Sequence, residues 1–232
     1  MRCEETPFKD RHEAGQRLAE RLARYRGENP IVLALPRGGV PVGYEISRSL
    51  GAPLHVFIAR KLGAPGRPEL GIGAVAQGGL RVLNARAGKA LNIPEEYINR
   101  IARREEAEIE RRLLSFYGEG CPEPEVRGRT AILVDDGLAT GVTARAAIEA
   151  LRRRDPLRLV LAAPVCAAGS AELLRPEVDE LVCLKTPSGS TAISLWYRNF
   201  EQVPDEEVIG LLQDARREPE KGDATAPDRG TS

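Results

Sequence analysis

TAILVDDGLATGVTARAAIEALRRR, residues 130–154, is the stretch on which the fold turns. Four apolar residues, Ala131 to Val134, run straight into two adjacent carboxylates, Asp135 and Asp136. A bare loop of small residues and threonines then leads into an Ala- and Arg-rich segment with helical spacing. The short apolar run reads as a strand covered on both faces, and ligands of open α/β sheets sit at the carboxyl ends of such strands. Two like charges side by side repel, so their position there points to a ligand that uses them. The loop opens a helix, whose first amides lack intrahelical partners and whose dipole is positive at that end. The amides of Ala139, Thr140, Gly141, Val142 and Thr143, with the hydroxyls of Thr140 and Thr143, therefore form a phosphate seat. Gly141 permits close approach of the ligand to the backbone. GxxxxGK[ST] does not match, so the loop is not a Walker A motif. Carboxylates directly before a phosphate seat suit a ligand with hydroxyls next to its phosphate, such as a ribose 5-phosphate.

Outward from this stretch, strand and helix alternate. DRHEAGQRLAERLARY predicts a helix capped by Asp10, with Glu13 three residues on as in a capping box. IVLAL (31–35) is a second fully apolar strand, PRGGVPVG interrupts it, and GYEISRSL follows as a helix. PLHVFIA is a strand ending at Arg60-Lys61, and residues 62–79 form a Gly/Pro-rich excursion with a short hairpin, returned by GGLRVLN. PEEYINRIARREEAEIERRLLSFYG predicts a long charged helix with Pro94 in its first turn, most simply a solvated face or a dimer surface. LRLVLAAPV and ELVCL are strands around the short helix SAELLR. The alternation implies a mostly parallel central sheet flanked by helices. TAISLWYRNFEQ is a strand-like aromatic cluster, and DEEVIGLLQDARR has the composition of a last helix. The domain is drawn at 1–213, and 214–232, ending in EPEKGDATAPDRGTS, is read as a disordered tail.

Composition narrows the function classes. The 232 residues suffice for one well-filled core. Thirty-four basic residues balance thirty-four acidic ones, which argues against nucleic acid or a charged membrane surface as partner. Cys3, Cys121, Cys166 and Cys183 are scattered without a CxxC pair, and His12 and His55 are the only histidines. That pattern predicts reduced thiols, no zinc centre and structural histidines. No apolar run approaches twenty residues and no signal peptide is evident, so the expected location is the cytoplasm.

ILVDDGLATGVT resembles the phosphoribosyl diphosphate (PRPP) signature of type I phosphoribosyltransferases. LALPRGGVPVG resembles that family's pyrophosphate loop, FIARKLG the basic pair opening its flexible loop, and SLWYRNF the aromatic end of the hood over the acceptor. From about Asp10 to Leu212 the chain is similar to a bacterial group of predicted phosphoribosyltransferases with the run PRGGVPVG…RKLGAPG…ELGIGAVA…DDGLATG, whose acceptor is unassigned. The resemblance implies a type I phosphoribosyltransferase fold with a flexible loop and a small hood, here mainly 185–203. It implies transfer of a 5-phosphoribosyl group to a nucleobase-like acceptor with release of pyrophosphate.

By the same resemblance, Asp135 and Asp136 hold the ribose hydroxyls and stabilise an oxocarbenium-like centre. Arg37, Gly38, Gly39, Arg60 and Lys61 receive the diphosphate, with Arg37 and Lys61 acting in catalysis. Magnesium arrives mostly on the diphosphate, with Asp135 and Asp136 as indirect ligands. Lys185, Trp196 and Tyr197 are the acceptor-side candidates. Relatives often carry a cis non-proline peptide in the pyrophosphate loop, which Leu35–Gly38 would hold here. Hypoxanthine-guanine enzymes have an aspartate in place of Ala139, so the usual argument for a 6-oxopurine is missing. Taken without the family, Arg60-Lys61 is equally a solvated pair, Lys185 equally a surface lysine, and Trp196 and Tyr197 equally core aromatics. The competing function is a PRPP-binding regulator without catalysis, and a homodimer is compatible with either.

Overall fold

The computed structural model describes residues 6–83, 93–121, 123–188 and 192–217. Its centre is a sheet of β1 (Pro30–Ala34), β2 (Leu54–Val56), β6 (Thr130–Val134), β7 (Arg158–Val165) and β8 (Glu180–Lys185). These strands lie in the order β2-β1-β6-β7-β8, with every neighbouring pair parallel. All residues of β1 and β6 are buried, which explains their unbroken apolar runs: both faces of a central parallel strand are covered, so alternation would bury polar groups.

Helices α1 (Arg11–Leu22), α2 (Gly39–Leu50), α3 (Glu95–Tyr117) and α6 (Asp205–Arg217) cover the face of Val32, Ala34, Ile132 and Val134. The opposite face, with Ile31, Leu33, Ala131 and Leu133, packs against α4 (Val142–Arg152) and α5 (Ala168–Leu174). The chain leaves β1 through α2 toward β2 on one side. It leaves β6 through α4 toward β7 on the other. Winding thus reverses between β1 and β6, and the loops after these two strands leave the same edge of the sheet side by side, where open α/β sheets bind ligands.

Several local expectations are corrected. PRGGVPVG is largely helical, since α2 starts at Gly39. PLHVFIA is not one strand: β2 ends at Val56, and β3 (Ala59–Ala64) begins a separate antiparallel sheet with β4 (Arg67–Ala76) and β5 (Leu80–Leu83). Arg60 and Lys61 therefore start a strand instead of ending one. Pro94 is the N-cap of α3. The segment around SLWYRNF forms a 3-10 turn, Ile193–Trp196, with a single bridge from Tyr197 to Phe8. Helix α6 runs to Arg217, into the segment read as a tail, and 218–232 lie outside the described residues. The capping of α1 is as expected, with Asp10 Oδ1 accepting from the Glu13 amide at 2.9 Å.

Reduced thiols were the expectation for the cysteines, yet Cys166 and Cys183 form a disulfide with Cα atoms 6.1 Å apart. Parallel pairing of β7 and β8 sets Ala163 beside Cys183 and Val165 beside Lys185, bringing together residues 17 apart in sequence. Cys121 is a free thiol, and Cys3 lies outside the described residues. Among the described residues no helix is long and apolar enough to cross a membrane.

Candidate functional site

Two loops from adjacent strands build the site. After β1, the chain turns through Leu35–Gly38, where the Pro36–Arg37 peptide is cis, and enters α2 at Gly39. After β6 it passes through Asp135 and Asp136 into the loop 137–141. The two backbones are stitched together where they leave the sheet, the Leu35 amide donating to the Val134 carbonyl at 2.8 Å. The contact tightens beyond that point. A Cβ on Gly38 would lie 2.0 Å from Asp136 Oδ2, and one on Gly39 would lie 2.7 Å from the Val134 carbonyl oxygen. The glycines of PRGG thus let the first loop lie directly against the acidic pair.

The second loop is braced from below and open above. Leu138 donates to the Val165 carbonyl and accepts from the Ala167 amide, and the Ser170 hydroxyl donates to the Ala139 carbonyl at 2.6 Å. Ala139, Thr140, Val142 and Thr143 are exposed. Gly141 is the N-cap of α4 with φ +69°, and no side chain caps the helix. A left-handed glycine thus leads into helix amides that no side chain caps, the local geometry in which backbone N–H groups can receive an anion.

The acidic pair is asymmetric. Asp135 Oδ1 accepts the Asp136 amide at 2.9 Å. Burial, with the charge of Asp136 beside it, pushes the Asp135 carboxyl well above the usual carboxylate range. Asp136 instead carries an ion pair, its Oδ2 receiving Arg11 Nε at 2.7 Å. Tyr197 donates its hydroxyl to the Asp136 carbonyl at 2.7 Å, and burial raises that hydroxyl's pKa, which keeps it a donor at neutral pH. Arg37 sits on the loop after β1, its Nη1 3.4 Å from Asp205 at the start of α6.

Arg60 and Lys61 lie on the small sheet, paired with Val75 and Ala74 of β4, and Arg60 is bonded to Glu105 of α3. The structure therefore brings Arg37, Gly38, Gly39, Asp135, Asp136 and the loop 139–143 together, while Arg60 is turned toward a helix.

Of the residues expected to meet the acceptor, Lys185 ends β8 and is buried, its Nζ donating to the Thr6 carbonyl between the rings of Phe8 and Trp196. Tyr197 is a core residue packed between Phe8 and Phe200, with centroids at 5.6 and 4.9 Å. Its ring is unavailable for stacking, which removes one of the two aromatic candidates. Trp196 is half-buried, and its buried indole Nε1 has no hydrogen-bond partner. Ile193 closes over the loop from this side, its Cγ2 lying 2.3 Å from where a Cβ on Gly137 would be. Sequence reasoning overlooked Arg11, Phe200, Asp205 and Glu105. Only Arg11 left a local signal, a cation at a helix N-terminus where the dipole disfavours one.

The family model described as "Phosphoribosyl transferase domain" matches residues 8–198. A protein of Mycobacterium tuberculosis (strain H37Rv) named "Putative phosphoribosyl transferase Rv0571c" is 41% identical over 211 residues, covering 91% of this chain and 47% of that protein. The chain spans about half the length of the curated relatives it matches. The crystal structure of TT1426 from Thermus thermophilus is 38% identical and superimposes with a TM-score of 0.81, over 90% of this chain and 99% of that one.

Proposed function

Because the chain belongs to the phosphoribosyl transferase domain family, we propose that it transfers the 5-phosphoribosyl group of PRPP to a nitrogenous, nucleobase-like acceptor with release of pyrophosphate. The observation that carries this reading is the contact of the two loops: an acidic pair that leads into an open anion seat and lies directly against a glycine-rich loop bearing Arg37. The 5-phosphate rests on the amides from Ala139 to Thr143 and the hydroxyls of Thr140 and Thr143. Asp135 and Asp136 accept from the ribose 2- and 3-hydroxyls. The diphosphate lies along the Arg37–Gly39 backbone, with the Arg37 side chain on it.

The C1–N bond to the acceptor forms as the C1–O bond to pyrophosphate breaks, and positive charge gathers on the ribose ring between. The acidic pair supplies negative potential beside that ring, while backbone amides and Arg37 stabilise the charge growing on the leaving group. Arg60 and Lys61 join only if the small sheet closes over the site, and Arg60 must then leave Glu105. Among the described residues no three His, Cys, Asp or Glu side chains form a metal cage. The two adjacent carboxylates nevertheless offer the hard oxygen donors that magnesium takes. Magnesium bound with the diphosphate would neutralise the leaving group, with Asp135 and Asp136 as the residues that would help to hold it. Of the acceptor candidates, the half-buried Trp196 is the ring left to meet a base, since Lys185 is buried with its Nζ on the Thr6 carbonyl.

The test is pyrophosphate release from Mg-PRPP across a panel of purine and pyrimidine bases. Release with at least one base, abolished in Asp135→Asn/Asp136→Asn with the fold intact by circular dichroism, is expected. Tight PRPP binding without release on any base would favour a PRPP-responsive regulator instead.

A further inference from the structure

We infer that Arg11 is a positioning residue for the ribose site, acting through Asp136. This rests on the reading that Asp136 accepts from a ribose hydroxyl. Three observations carry it. Arg11 opens α1, where a cation opposes the helix dipole, so local helix energetics do not account for it. Its side chain is 11% exposed and that of Asp136 is 16%, and an ion pair so withdrawn from water contributes little net stability after desolvation. The guanidinium is also fixed on three sides. Nε donates to Asp136 Oδ2 at 2.7 Å, Nη1 donates to the Glu201 carbonyl at 2.8 Å, and the plane lies 4.0 Å from the Phe200 ring centroid.

These fixings belong to one layer. Phe200 packs on Tyr197, whose hydroxyl holds the Asp136 backbone carbonyl. The segment before α1 is bonded to the same turn, Phe8 donating to the Trp196 carbonyl at 2.8 Å and receiving Arg198 at 2.8 Å. Both the backbone and the carboxylate of Asp136 are therefore gripped by residues far away in sequence, while the phosphate seat beyond it is braced separately by Ala167 and Ser170. A carboxylate pinned through Oδ2 keeps one orientation, so its remaining acceptor capacity points where a ribose hydroxyl can use it. Lysine cannot reproduce the grip, since it lacks the planar fork that stacks and bonds at once.

Isothermal titration with ribose 5-phosphate, inorganic phosphate and Mg-pyrophosphate separates this role from others. Arg11→Gln should bind ribose 5-phosphate at least about tenfold more weakly than wild type. Inorganic phosphate, which needs only the loop, should change less than about threefold, and Mg-pyrophosphate, whose metal also meets Asp136, should lose less than ribose 5-phosphate. Arg11→Lys should recover only part of the loss. If Arg11→Gln fails to fold, Phe200→Leu carries the test, because it keeps the ion pair and removes its platform. A selective, severalfold weakening of ribose 5-phosphate is expected there. Unchanged or tighter ribose 5-phosphate binding in a folded variant would overturn the inference, tighter binding marking Arg11 as a competing counter-ion. A larger loss for Mg-pyrophosphate would also overturn it, by making Arg11 a diphosphate ligand. A wild type that binds inorganic phosphate but gains nothing from ribose would sink the parent reading, and this one with it.

Discussion

Replacing Gly38 by alanine tests the loop contact at the heart of the site. The backbone at Gly38 has φ −59° and ψ −33°, which alanine adopts without strain, so any penalty comes from the methyl group alone. That methyl would stand 2.0 Å from Asp136 Oδ2 and 2.5 Å from its Cγ, roughly 1.4 Å short of ordinary contact. The carboxylate cannot simply swing aside, because Arg11 holds it at 2.7 Å and Arg11 is itself held by Phe200 and Glu201. Overpacking at a fixed site costs about 1–3 kcal/mol, against about 0.4–1 kcal/mol regained from the less flexible unfolded chain. The net loss of about 1–2 kcal/mol corresponds to roughly 2–8 °C in melting temperature for a chain of this size. Ribose 5-phosphate affinity should fall with it, at least about tenfold, as Asp136 moves.

The decisive measurement is the double-mutant cycle with Asp136→Ala, read by thermal and denaturant unfolding. With the carboxylate gone the methyl has room, so Gly38→Ala should be neutral or stabilising by about 0.5 kcal/mol in that background. The coupling should exceed about 1 kcal/mol. Effects that add to within about 0.5 kcal/mol, or wild-type stability of Gly38→Ala, would refute the claimed contact.

Gly141→Val is expected to abolish inorganic phosphate binding measured by calorimetry, since φ +69° excludes a β-branched residue. Asn at that position should keep part of the affinity, and an unaffected Val variant would remove the loop from the anion site. A pH dependence of stability should come from His55, whose pKa is lowered to about 4, chiefly by burial and further by Arg216 and Arg129. The folded state resists a proton that the unfolded state takes up near pH 6.5. Stability is therefore complete above that value and is lost as pH falls toward about 4. The loss should reach about 2 kcal/mol by pH 5, and His55→Gln should flatten urea midpoints measured between pH 7 and 5.

The central strands, the acidic pair at a strand end and the small-residue loop that opens a helix are legible in the sequence because their signals are local. A parallel strand buried on both faces leaves an unbroken apolar run, and a strand end followed by carboxylates and small residues needs no distant partner to be recognised. The start of α2 is hidden because glycines and Pro41 read as a loop, although Gly38 has helical torsions. The division of PLHVFIA at Phe57-Ile58 is set by which sheet each half joins, and apolar character is the same on either side. Arg11, Glu105 and Asp205 act through partners 125, 45 and 168 residues away, and no window along the chain contains those pairings. Tyr197 reads equally as a core aromatic and as a ring over the site, because an aromatic run gives the same letters in both places.

Arg37 on Asp205 and Arg60 on Glu105 give the resting protein its own stand-in anions. On the proposed function, a diphosphate arriving at these arginines does not find a bare basic groove surrounded by salt. It must exchange with carboxylates tethered to α6 and α3, and what is set free is a protein side chain instead of a counterion from bulk solvent. Binding by such an exchange loses the steep fall with ionic strength that accompanies counterion release. It also penalises any polyanion too weakly shaped to the two loops to win the exchange, since both arginines are already paired.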